Sequence, residues 1–98
     1  MSTLHVISHS PFADDRLDSC LRLLANDDGL LLCGDAVNAL RAGSPVEARV
    51  RNADLQQRLF VLAEDVRARA IHSELAQALD YIAFVELTLK YDKVNSWL

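Results

Sequence analysis

The chain has 98 residues, 51% of them hydrophobic, and a formal net charge of −4. This length predicts one small domain over residues 1–98, with a thin core and much exposed surface. The acidic balance argues against a nucleic-acid scaffold, which carries a basic surface. No apolar run approaches the roughly 20 residues that span a bilayer, and no signal-like segment opens the chain. We therefore expect a cytoplasmic protein with no direct nucleic-acid or membrane partner.

The first predicted elements are a strand and a helix. Thr3 to Ile7 is β-branched and apolar, which favours a buried strand, and the Ser-Pro turn that follows ends it. A helix is expected to begin at Asp14 or Asp15 and to continue to about Ala25. Its apolar face consists of Leu17, Cys20, Leu21 and Leu24, spaced as on one side of a helix.

The central part of the chain continues the alternation of strands and helices. Asp27 and Asp28 are interpreted as turn residues before a second strand, from Leu30 to Cys33. A short helix is predicted from Ala36 to Leu40. In the segment from Glu47 to Arg51, polar and apolar residues alternate weakly, which favours either a short edge strand or a loop.

The second half begins with a third strand from Arg58 to Leu62 and a helix from Glu64 to Ala70. Propensity alone makes Ser73 to Lys90 one long helix. Strands and helices that alternate with short connections predict a three-layer α/β domain. Its sheet is expected to be mostly parallel, with four to five strands and helices on both faces.

The last helix is apolar around most of its circumference. One stripe contains Tyr81, Val85, Thr88 and Leu89, and a second contains Phe84, Leu87 and Tyr91. A helix needs an apolar face of only about 100° for its own core. The extra width predicts a contact with another subunit, and the alternative is a helix sunk deeply into a small core. Trp97 is expected to be held by packing, because a terminal residue otherwise frays.

Cys20 and Cys33 are the two thiols available for soft nucleophilic chemistry. Cys20 shares a helix face with leucines, and free cysteine often acts as a small hydrophobe, so a packing role stays open. Cys33 ends a strand at the carboxyl edge of the sheet, where α/β proteins bind ligands, but a structural role is favoured. The three histidines have no metal-ligand spacing, and no glycine-rich phosphate loop exists, so no metal or cofactor is expected.

Several short motifs resemble the DsrH/TusB family when they are taken in order. They are the Leu4-His5 opening, Ser10-Pro11, Leu23-Leu24, Leu31-Leu32, Phe84-Val85 with Leu87-Thr88, and the closing Ser96-Trp97. The resemblance, closest to DsrH, implies a short strand just before Asp80 and a last helix that begins near Ile82.

What the resemblance implies is a subunit of a sulfur-relay complex. Such subunits assemble with DsrE-like and DsrF-like proteins into a heterohexamer with two copies of each, which passes persulfide sulfur to a small DsrC/TusE-like carrier. Cys20 occupies the position of a first-helix cysteine in the DsrH branch, which implies a persulfide carrier and oxidation of stored sulfur. The alternatives are a purely docking subunit and the TusB branch, which serves tRNA thiolation. A stand-alone rhodanese-type enzyme is disfavoured, because neither thiol has a basic, anion-binding loop.

Overall fold

A computed structural model describes residues 2–97, and their strands form one parallel five-stranded sheet. The strands are β1 (Thr3–Ile7), β2 (Gly29–Leu32), β3 (Leu59–Leu62), β4 (Gln77–Leu79) and β5 (Lys93–Trp97). They lie in the order β4-β3-β2-β1-β5, so the first strand in the sequence pairs with the last. This confirms the predicted α/β class and the mostly parallel sheet.

The helices cover the two faces of the sheet unequally. They are α1 (Arg16–Leu23), α2 (Pro45–Asn52), α3 (Ala63–Ala68) and α4 (Tyr81–Thr88), with 3₁₀ turns at Gly34–Leu40 and Gln56–Arg58. The larger core, from Ile7, Leu30 and Leu32, lies under α1, α2, α3 and the first 3₁₀ turn. The smaller core, from Leu4, Leu31 and Phe60, lies under α4. None of the helices described is long and apolar enough to cross a membrane.

The sequence prediction for the segment from Glu47 to Arg51 was wrong, because this segment lies in α2. The side chain of Ser44 accepts a hydrogen bond from the Glu47 amide over 3.1 Å, and Pro45 occupies the first turn. Both features initiate helices. Val46 and Val50, four residues apart, are the buried residues of α2, so the weak alternation reflected one turn of helix.

The C-terminal third follows the family resemblance. Propensity predicted one long helix, but β4 precedes Asp80, whose side chain accepts a hydrogen bond from the Ala83 amide over 2.7 Å and caps α4. β5 was not predicted from the sequence. Its residues are mostly polar and exposed, and it forms because β1 offers a free edge in register from Thr3–Lys93 to Ile7–Trp97.

Candidate functional site

The carboxyl edge of the sheet brings the ends of β1, β2 and β3 together, as parallel strands require. Cys33 follows β2 directly and is half-buried there. Its amide donates to the Ile7 carbonyl oxygen over 3.0 Å, and its Sγ lies 3.7 Å from the same oxygen. The position matches the prediction for Cys33.

Gly34 lets the chain turn sharply beside this thiol. Its φ is +52°, and a Cβ would lie 3.3 Å from the carbonyl oxygen of Ser8, so glycine fits the close approach. The Gly34 amide donates to Oδ2 of Asp65 over 2.8 Å, which fixes a carboxylate near the thiol. Burial, and then the charge of Asp65, raise the pKa of Cys33. The thiol form is therefore favoured at this edge.

An arginine completes the polar cluster. Nη2 of Arg69 lies 2.8 Å from Oδ1 of Asp35, and its Nη1 donates to the backbone carbonyl of Asp65 over 3.1 Å. The guanidinium is directed at carboxylates and a carbonyl rather than at Cys33. A basic cradle that stabilises a thiolate is therefore not formed by these contacts.

Cys20, the predicted carrier thiol, lies on the inner face of α1 and is 0% exposed. Burial, with a smaller contribution from the nearby charge of Asp28, raises the pKa of Cys20 to about 12. A buried thiol with so high a pKa is protonated at neutral pH and shielded from large reactants. In this conformation Cys20 packs as a small apolar residue.

The structure does not bring the two thiols together. Cys20 belongs to the core under α1, whereas Cys33 packs against the core under α4. Both are free cysteines on opposite sides of the sheet. Direct sulfur exchange between them within one chain is therefore blocked by the sheet.

The histidines separate into exposed and buried positions. His9 and His72 are exposed, and no group of three metal-ligating side chains occurs within residues 2–97. His5 lies in β1 as expected, is 7% exposed, and contacts two partners from distant parts of the chain. Its Nε2 lies 3.2 Å from Oδ2 of Asp28, and its Nδ1 accepts from the indole of Trp97 over 3.1 Å.

Asp28 has a role that the sequence analysis missed. It closes the predicted turn, where its amide donates to the Ala25 carbonyl oxygen over 3.1 Å, but its buried carboxylate also accepts from the amides of Thr3 and Ala25, each over 3.0 Å, and contacts His5. The contact with Thr3 could not be predicted from local pattern, because the two residues are 25 positions apart. Trp97 is held by its own domain, as predicted for a terminal tryptophan.

Helix α4 exposes an apolar stripe, which we call the α4 stripe. Its members are Tyr81, Ile82, Val85 and Leu89, all exposed, with Leu89 at 82%. At 100° per residue these four positions span about 100° of the helix. The inner side holds Leu87, which is buried, and Phe84, which is half-buried. The outward direction of Tyr81, Val85 and Leu89 agrees with the first predicted stripe.

The sheet face beneath α4 is covered over four of its five strands, where Leu4, Leu31, Phe60 and Leu79 are buried. Val94 on β5, whose register partner Leu4 points toward the α4 side, is exposed. This exposed valine at the edge of the sheet and the α4 stripe together form apolar surface that is typical of an interaction site.

These features define a small α/β protein with a five-stranded parallel sheet and an apolar surface suited to a partner. The fold is similar to that of the ychN protein from Escherichia coli, whose crystal structure superposes with a TM-score of 0.75 over 99% of this chain and 100% of that one. Its sequence is only 18% identical, so this likeness concerns the fold alone.

The family follows from the sequence comparisons. A family model described as DsrH like protein matches residues 9–94. Protein TusB of Yersinia enterocolitica is 36% identical over 98 residues, covering 96% of this chain and 99% of that protein. Protein TusB of Escherichia coli is 34% identical over 97 residues, with the same shares covered. The chain belongs to the DsrH/TusB family of sulfur-relay subunits, as its motifs predicted.

Proposed function

We propose that this chain is a subunit of a hetero-oligomeric complex that passes persulfide sulfur to a small DsrC/TusE-like carrier protein. The observation that carries the proposal is the match to the DsrH/TusB family, which extends over residues 9–94. The proposed partners are one DsrE-like and one DsrF-like subunit, or their tRNA-thiolation counterparts, two copies of each in a heterohexamer.

The α4 stripe supports this assignment. A short chain that exposes four large apolar side chains along one helix, besides a valine on the edge strand β5, has more apolar surface than its own core uses. Related subunits of the complex are the occupants we assign to it. They are expected to bury this surface in a largely hydrophobic contact of the kind that permanent assemblies form.

Co-purification with the two related subunits encoded in the same genome tests the assembly. Native mass spectrometry should give the mass of a complex that contains this chain in two copies. The double variant Ile82→Asp with Leu89→Asp should dissociate this chain from the complex, because two buried charges without partners are costly. Leu23→Asp, an exposed leucine on α1, is the matched control and should assemble normally. An intact complex with the α4 variant would contradict this use of the stripe.

The tRNA-thiolation branch is the one we propose for this subunit. The curated relatives carry the name TusB at 34–36% identity over nearly the whole chain. Deletion of the gene should then abolish 2-thiouridine at the tRNA wobble position, and the unaltered gene should restore it. The second candidate is oxidation of stored sulfur, which the first-helix position of Cys20 favours. Loss of sulfur oxidation with normal 2-thiouridine would select that branch instead.

The chemical role of Cys20 stays a prediction. In persulfide transfer, a thiolate attacks the outer sulfur of the donor persulfide, a new S–S bond forms, and the donor cysteine leaves as a thiolate. Cys20 in the described conformation is fully buried and has a pKa of about 12, so the step requires α1 to move and expose it. The geometry therefore favours a docking role for this subunit over a carrier role.

Sulfur loading distinguishes the two roles. The assembled complex is incubated with a labelled persulfide donor, and this chain is analysed by mass spectrometry without reduction. A docking subunit gains no sulfur mass, and Cys20→Ser transfers sulfur to the carrier at the normal rate. Persulfide on Cys20, absent in Cys20→Ser and retained in the control Cys33→Ser, would establish the carrier role.

A further inference from the structure

Three side chains from three separate segments form a hydrogen-bonded chain on the α1 side of the sheet. The Nε1 atom of Trp97, at the end of β5, lies 3.1 Å from Nδ1 of His5 in β1. The other nitrogen of His5, Nε2, lies 3.2 Å from Oδ2 of Asp28, just before β2. His5 and Asp28 are 7% and 6% exposed. The two contacts span 92 and 23 positions of sequence.

These contacts determine the protonation state of the imidazole. An indole nitrogen only donates, so Nδ1 of His5 must accept and carries no proton. Nε2 then carries the proton, and this N–H donates a hydrogen bond to the carboxylate of Asp28. His5 is therefore held as the neutral Nε2–H tautomer, between a fixed donor and a fixed acceptor.

A second proton would change one contact and preserve the other. It would occupy Nδ1 and face the N–H of Trp97, so the hydrogen bond would be replaced by two opposed donors. The imidazolium would meanwhile bind Asp28 more strongly, as a charge-assisted pair. We propose that His5 is a proton-operated latch, whose protonation releases Trp97 and the end of β5 while the pair between His5 and Asp28 persists.

The surroundings of the latch contain few groups that compete for this role. On α1, Cys20 has a pKa near 12. Arg58 donates through Nη1 to the carbonyl oxygen of Asp28 over 2.7 Å. Tyr91, whose pKa is raised by burial, belongs to the core under α4 on the opposite face of the sheet. Lys93, on the same side of β5, is exposed. Imidazole is the side chain whose ordinary titration falls between pH 5 and 8.

The position of β5 makes such a release local. It is an edge strand that pairs with β1 alone, and Lys93 to Ser96 are exposed. The end that carries Trp97 is therefore held by its pairing with β1 and by the contacts of the indole. Because the indole packs against the core that contains Cys20, its departure removes part of the cover of that core.

Nuclear magnetic resonance of the full-length chain, labelled with ¹⁵N, tests the latch directly. Trp97 is the sole tryptophan, so one indole N–H signal reports it. Between pH 8 and 5 this signal should lose its hydrogen-bonded shift, and the amides of β5 should exchange faster while those of β2 and β3 keep their protection. The signals of the His5 ring and of the Trp97 indole should change together, with one midpoint. An indole signal that does not change, or two different midpoints, would overturn the proposal.

A neutral mimic provides the matched variant. In His5→Gln the side-chain amide offers an oxygen to the indole and an N–H to Asp28 but does not titrate, so the pH response of Trp97 should disappear. His9→Gln combined with His72→Gln removes the exposed histidines and should leave the response unchanged. A response that persists in His5→Gln, or that is lost in the control, contradicts the latch. These readouts concern the fold of this chain, so they do not depend on the proposed sulfur-relay function.

Discussion

The ring of Tyr91 lies directly across Gly29, so that a Cβ on Gly29 would come within 2.7 Å of Cζ of the ring. Leu4 closes the same space, with its Cδ1 at 3.2 Å from that position. The segment between α4 and β5 is thereby placed against the beginning of β2. Glycine is required here for close approach rather than for its backbone freedom.

Gly29→Ala is therefore expected to destabilise the chain by about 1–3 kcal/mol, the usual cost of forcing an extra methyl group into a packed site. Urea unfolding followed by circular dichroism measures the change. In a Tyr91→Leu background the added methyl has more room, so the cost of Gly29→Ala should fall. An equal cost in both backgrounds would show that the ring of Tyr91 is not the obstacle.

Asp28→Asn should lower the free energy of unfolding by about 2 kcal/mol. An asparagine has only one acceptor oxygen, so its NH2 group would face a donor that the carboxylate accepts from in the unaltered chain. The remaining hydrogen bonds would also weaken, because a charged acceptor gives stronger bonds than a neutral one. Equilibrium unfolding at pH 7 measures the loss. Asp54→Asn, at an exposed position, is the control and should change stability by less than about 0.5 kcal/mol. Equal effects of the two substitutions would contradict the assigned role of Asp28.

The stabilisation from Asp28 should also depend on pH. Burial alone raises the pKa of this carboxyl, but the amides of Ala25 and Thr3 and the side chain of His5 outweigh it, so the net pKa is lowered. A lowered pKa means stability that is present above the unfolded value, about 3.9, and is lost as the pH falls through the folded value. The stability difference between the unaltered chain and Asp28→Asn should shrink below about pH 4, as the carboxyl group of Asp28 gains a proton. A difference that stays constant down to pH 2.5 would refute this linkage.

The two thiols should differ in reactivity. Cys33 is half-buried and Cys20 is fully buried with a pKa of about 12, so iodoacetamide at pH 8 should modify Cys33 first. Peptide mass spectrometry assigns the modified residue, and denaturation should make both react. The Cys33→Ser chain should resist modification while it is folded. Rapid alkylation of Cys20 in that variant would mean that α1 opens readily and would favour the carrier role.

Local pattern predicted most of the strands correctly. Strands of a parallel sheet that is covered on both faces are nearly continuous runs of apolar residues. The runs from Thr3 to Ile7 and from Leu30 to Cys33 have this pattern, and both form strands of the sheet. The segment from Glu47 to Arg51 was misassigned, because a two-turn helix with only two buried valines gives a weak pattern that resembles a short strand or a loop. The cap at Ser44 and Pro45 was the available signal.

The edge strand β5 could not be predicted from local pattern. Lys93 to Ser96 are exposed and mixed in character, and nothing in them requires a strand. They pair because the order of the sheet leaves one side of β1 free and because Trp97 reaches His5. That partner is 92 positions away, so no window of sequence contains it.

By itself, the sequence determined the α/β class, the family and the presence of a largely apolar last helix, because periodicity and short motifs are local properties of a chain. Only the tertiary structure decided that Cys20 is sealed under α1, that Cys33 lies across the sheet from it, and that the turn residue Asp28 is also a buried acceptor for a distant segment. The exposure and protonation of a group depend on which distant segments pack around it, and those contacts exist only once the chain has folded.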